Sequence, residues 1–129
     1  HTSTRLTWQR ALPTKYDGCK GRYESGRGVL GDACDWEGAK SYCAQLAIAS
    51  GGWRLPTKEE HLSIVDKSRI DPSIDLVAFP STRAEAFWSA SPYVDERGAG
   101  LEGAWYVIFR DGTPYHDFDT ASVRVRCVR

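Results

Sequence analysis

Between positions 70 and 120 nine acidic residues stand against three arginines, the densest set of groups in the chain that could do chemistry. Asp95, Glu96 and Glu102 fall in a Gly-rich stretch, and Asp111, Asp117 and Asp119 flank the turn that follows. Calcium takes about six to eight oxygens from such groups. A calcium site at Asp95, Glu96, Glu102, Asp117 and Asp119 is therefore the one cofactor the pattern suggests. The same acids equally suit a solvated loop face. His61 and His116 each stand alone, without metal-ligand spacing. Serine catalysis needs a strained nucleophile turn such as G-x-S-x-G, and the chain has none. Tyr93 and Tyr115 lie near loops, where an aromatic face can stack on a ligand ring. No catalytic set emerges.

The four cysteines stand at 19, 34, 43 and 127, with no C-x-x-C. Zinc would want close ligand pairs, so two disulfides are the better reading, and with them a compartment outside the cytoplasm. The 129 residues make one domain, 1–129, with 41% hydrophobic and 12% aromatic residues, a globular composition. Seventeen Lys and Arg balance seventeen Asp and Glu, which argues against nucleic acid as a partner. No run of about 18 apolar residues is present, so no membrane insertion is expected. No signal peptide is visible, and there is no Met. We expect the chain to be a piece of a longer precursor.

The elements that must position these groups follow from pattern. Leu6 to Gln9 alternates like a short edge strand. Residues 13–35 are Gly-rich and polar, an irregular loop holding two cysteines. Asp35 is an N-cap, and Trp36, Ala39, Cys43, Leu46 and Ala47 form a helical stripe that should end before Gly51-Gly52. Thr57 to Glu60 has the capping-box pattern and opens a second helix to about Lys67, with Leu62 and Val65 inward. Strands are expected over 86–91, 104–110, 113–118 and 122–128, with Asp111-Gly112 as a hairpin turn. In the last strand Val123, Val125 and Cys127 face inward, leaving Arg124 and Arg126 outward. Trp8, Trp36 and Trp105 fall on inward phases, and Trp53 and Trp88 are also expected in the core. The layout is α+β with an antiparallel sheet. Cys43 and Cys127 both face the core, so their pairing ties the first helix to the last strand, worth about 4–5 kcal/mol in chain-entropy terms. Cys19–Cys34 then staples the loop.

Five strings come in a familiar order: Thr7-Trp8-Gln9-Arg10, Gly52-Trp53-Arg54-Leu55-Pro56-Thr57, Phe87-Trp88-Ser89-Ala90-Ser91, Ala104-Trp105-Tyr106-Val107 and Val125-Arg126-Cys127-Val128-Arg129. Together they resemble the family of bacterial domains typified by the C-terminal domain of the collagen-like adhesin Lcl, from about Leu6 to Arg129. Positions 13–32 match least. The resemblance implies a C-type-lectin-like fold: two helices on a small twisted antiparallel sheet, long loops, paired first and last strands, and a disulfide from helix 1 to the last strand. It also implies a secreted or cell-surface protein, with the periplasm as an alternative, and a homotrimeric parent that presents the domain to sulfated glycans. Fold alone does not carry function.

Lectins of this fold often bind sugar through calcium, using Glu-Pro-Asn or Gln-Pro-Asp with Trp-Asn-Asp. This chain has no Asn and neither tripeptide, so that site is absent. Charge offers another route. Residues 1–30 carry six Lys and Arg against two acids, and 121–129 carry three Arg and no acid. If the end strands pair, Arg5, Arg10, Arg124 and Arg126 share one strand edge, with Lys15, Lys20, Arg22 and Arg27 nearby. Arg110 lies at the hairpin. Guanidinium forks suit sulfate or carboxylate. The expected function is extracellular recognition of a glycan, anionic or sulfated, or of another surface polymer. The alternative is a module that docks on protein partners in a pilus, fibre or envelope complex. The Arg-Leu-Pro-Thr string also resembles formylglycine-generating oxidases. Those enzymes need a reactive Cys pair near the C-terminal end, where only Cys127 stands, so no enzymatic activity is expected.

Overall fold

The computed structural model describes residues 6–10, 12–23, 29–47, 51–79, 82, 85–94 and 101–129. Helix α1 runs Trp36–Gln45. Asp35 caps it, its carboxylate accepting the Gly38 N–H at 2.7 Å. The buried face is Trp36, Ala39, Tyr42 and Cys43. The stripe stops there: Leu46 turns extended and is only half-buried, and Ala47 is exposed, because the chain has left the helix before reaching them.

Helix α2 is short, Lys58–Ser63, and does not reach Lys67. Its capping box is complete: Thr57 accepts the Glu60 N–H, and Glu60 accepts the Thr57 N–H at 2.8 Å. Within it His61 is buried, Ile64 just past its end is buried as well, and Leu62 and Val65 pack at the margin.

The sheet is antiparallel, in the order β1 (Ala86–Val94), β2 (Leu101–Ile108), β3 (Thr113–Asp117). Phe87 pairs with Val107 and Trp105 with His116. Because strand side chains alternate, the sheet has two faces. Ala86, Trp88, Ala104, Tyr106 and Ile108 pack toward α1 and the disulfides. Phe87, Val107 and Phe109 pack with Ile64 and Ile74. Apolar contact on both faces makes the sheet the central layer. Trp105 sits in neither cluster and is half-buried, contrary to the core position its phase suggested.

Both disulfides form as expected, Cys19–Cys34 and Cys43–Cys127, the latter closing a separation of 84 residues. The chain ends lie side by side. Thr7 and Arg129 exchange backbone hydrogen bonds at 2.7 and 2.8 Å, and Val128 does the same with Arg54. Among the described residues, neither end is a regular strand. Residues 122–128 touch one segment after another: Val123 bonds Cys34, the Arg124 N–H bonds the Ala86 carbonyl, and Val125 and Tyr16 Oη bond each other. Every residue from Val123 to Val128 is buried. The expected outward phase does not exist, because the segment threads the interior with neighbours on both sides.

Candidate functional site

The arginines of the last segment are structural. Arg124 donates to Glu85 at 2.6 Å and to the Asp32 carbonyl at 3.0 Å, with its guanidinium over Tyr23. Arg126 is completely buried. It donates to the carbonyls of Gln9 and Arg10 and to Thr82 Oγ1, and it lies over the rings of Phe79 and Phe87. Burial lowers its pKa to about 10, which still leaves it charged at neutral pH. Arg10 is exposed but donates to the carbonyls of Val77 and Ala78. The expected basic strand edge is therefore corrected: three of its four arginines bind protein carbonyls or carboxylates. Arg5, like Arg27, lies outside the described residues. Arg110 is exposed at the β2–β3 turn.

Free cations gather elsewhere. Lys20 and Arg22 are exposed, and among the described residues neither has an ion-pair partner. Arg22 overhangs a cleft of about 330 Å³ walled by Tyr23, Tyr106, Asp117, Thr120 and Ser122. A second cleft of about 340 Å³ lies between Lys20, Gly21, Asp35 and Gly38, and it shares Thr120 and Ser122 with the first. The two clefts adjoin at these two residues, and the pair is called the groove.

Local structure makes this groove. Gly21 bridges to Ala33 inside the loop closed by Cys19–Cys34. A side chain on Gly21 would strike Ser122 and the Ala33 carbonyl, and one on Gly38 would come within 2.8 Å of the Asp35 carboxylate. These glycines let loop, helix start and C-terminal turn close to groove width. The Trp36 N–H donates to the Asp119 carbonyl at 2.9 Å, holding that turn against α1. Tyr23 Oη accepts the Ala86 N–H, which fixes the ring. Burial, then the nearby Asp117 charge, raises the Tyr106 phenol pKa, so it remains a hydrogen-bond donor. Two cations, two hydroxyls and the carboxylates of Asp35 and Asp117 beside an aromatic wall can recognise polyols and their anionic substituents.

The remaining expected residues divide between the two sheet faces. Tyr115 is 43% exposed and pairs across strands with Tyr106, beside the groove. Tyr93 stacks on His116 on the other face. Asp117 lines the groove, and Asp119 is exposed. Asp95 and Glu96 lie outside the described residues, and Glu102 is described only as part of β2. Among the described residues, no group of three or more His, Cys, Asp or Glu is placed to hold a metal ion. His61 is buried and alone, its Nε2 2.9 Å from the Trp88 carbonyl. Sequence reasoning placed Lys20 and Arg22 near a binding edge but did not find Tyr23, Tyr106, Thr120 and Ser122. The signal for them was weak, since they come from three distant stretches.

Among the described residues, no helix is long and apolar enough to cross a membrane. Two disulfides fit a domain outside the cytoplasm. No curated protein and no solved structure matches the chain. The family model described as the Lcl C-terminal domain matches residues 1–129. With every position spanned by that match, the chain belongs to the Lcl C-terminal domain family, an adhesin-like family of surface-associated modules.

Proposed function

We propose that this domain is an extracellular binding module that holds a glycan, anionic or sulfated, in the groove between Lys20 and Tyr106. The observation that carries the reading is that two cations without an ion-pair partner among the described residues stand beside the hydroxyls of Thr120 and Ser122 in adjoining clefts. Guanidinium and ammonium groups suit sulfate or carboxylate, and the hydroxyls suit ring hydroxyls. Several copies in one parent, such as a trimer, would multiply a modest affinity.

The architecture is read as C-type-lectin-like. Paired chain ends, the Cys43–Cys127 bridge and the long loops support that fold. A binding role, and not an oxidase activity, is supported by the cysteines: all four are bonded, so no thiol is available for formylglycine-type chemistry.

The test is a titration with a heparin-derived tetrasaccharide at rising salt. The double variant Lys20→Ala, Arg22→Ala should lose on the order of tenfold in affinity, and salt should weaken the wild type. Salt-insensitive binding that the double variant retains in full sinks the groove reading. A second reading, docking on a protein partner of a fibre or envelope assembly, is supported by exposed apolar residues, with Ile70 at 72% and Val77 at 80%. Pull-down with the rest of the parent chain tests it.

A further inference from the structure

Three aromatic rings on the sheet face away from the groove belong to neither apolar cluster: Tyr93, Trp105 and His116. The Tyr93 and His116 rings lie 3.6 Å apart and within 4° of parallel. Trp105 stands edge-on to both, at 5.6 and 5.1 Å. Lys58 Nζ is 4.2 Å from the Trp105 ring centre and 3.9 Å from the Glu59 carboxylate.

This cluster is held rigidly. Gly103, the register partner of Tyr93, lets β2 close against the end of β3, which carries His116. Its φ of +147°, and the Asp117 carbonyl where a Cβ would stand, admit only glycine there. The Lys58 N–H donates to Ser91 Oγ at 2.9 Å, the Ala90 N–H to the Pro56 carbonyl at 2.7 Å, and Ser89 Oγ to the Trp105 carbonyl at 2.7 Å. The start of α2, β1 and β2 are thereby tied around the rings. His116 is exposed, Tyr93 and Trp105 are half-buried, and the Lys58 side chain is 25% exposed.

We infer that this cluster is a second glycan subsite, in which the His116–Tyr93 stack takes the apolar face of a pyranose ring and Lys58 takes an anionic substituent beside it. The inference rests on the glycan-binding reading above and adds a ring-recognition element to it. The electron-rich face of an aromatic ring attracts the polarised C–H groups of a sugar. Rings that already lock one another bind without the cost of ordering them. The neighbouring ammonium disfavours a cationic ligand and favours sulfate or carboxylate.

The experiment is an NMR titration of the intact domain with a heparin-derived tetrasaccharide and with its desulfated form. The His116 ring protons of the wild type should shift. His116→Ala, a change at an exposed position, should weaken binding of both sugars by about tenfold. Lys58→Gln should weaken only the sulfated one. Amide spectra of both variants should keep native dispersion. Unmoved His116 protons and full affinity in His116→Ala, together with lost affinity in Lys20→Ala, Arg22→Ala, overturn the subsite and leave the groove standing. No binding of either sugar by the wild type overturns the glycan reading itself, and the subsite with it.

Discussion

Arg126 holds a full charge where no solvent reaches it, and every partner it has is neutral. The carbonyls of Gln9 and Arg10, Thr82 and two phenyl faces replace water around its terminal nitrogens, while its buried Nε has no hydrogen-bond partner among the described residues. They come from separate segments, so the side chain cross-links them. Arg126→Ala leaves a cavity and unsatisfied carbonyls, and should cost about 3 kcal/mol in urea denaturation. Arg110→Ala, at an exposed turn position, should stay within about 0.5 kcal/mol. His61 is the complementary case, a buried group kept neutral. Burial lowers its pKa from 6.5 to about 4. The unfolded chain therefore binds the proton more tightly than the folded one. Its contribution is complete above about pH 6.5 and falls as the pH drops toward 4, by roughly 3 kcal/mol in all. His61→Gln should flatten that part of the pH–stability curve. A wild-type curve as steep as the variant's between pH 6.5 and 4 would contradict the assignment.

At the scale of elements, local chemistry and tertiary context divide the work. Asp35, and Thr57 with Glu60, mark helix starts by the side chains that satisfy orphan N–H groups, and both caps form as the sequence reads. The Asp111-Gly112 hairpin is legible for the same reason: Gly112 adopts a φ of +81°, which the turn requires. What was not legible is the segment 122–128. Its Val–Arg alternation has the period of a strand with one wet face, and only the neighbours that cover both faces make it interior. The groove was hidden similarly, since Arg22, Tyr106 and Thr120 meet only after the sheet and the stapled loop have formed. The α2 cap gives a direct test. Glu60 has two partners, a two-pronged contact from Arg54 and the Thr57 N–H of the cap, and these, the first above all, lower its pKa. Thr57→Ala should cost about 1 kcal/mol in thermal or urea unfolding. Thr57→Ser, which keeps the acceptor, should cost little.

At the scale of the molecule, two crosslinks divide fold from site. Cys43–Cys127 joins α1 to a C-terminal segment that also pairs with Thr7 and Arg54, so it closes the chain on itself across 84 residues. Cys19–Cys34 closes only 15 residues, but its loop carries Lys20, Gly21 and Arg22 into the groove. In the chain-entropy model the long loop is worth about 4.5 kcal/mol and the short one about 3 kcal/mol. The rank order for stability is therefore fixed by topology, and for binding it should invert. Removing Cys43–Cys127 by paired alanines should lower the urea midpoint more, while any fraction still folded keeps its groove. Removing Cys19–Cys34 should lower the midpoint less, yet weaken the tetrasaccharide more, because the loop that aims Lys20 and Arg22 is loosened. Urea melts and titrations on both double variants separate the two effects. If the short-loop variant binds as tightly as the wild type, the stapled loop is not part of the recognition surface, and the groove loses the wall that carries its cations.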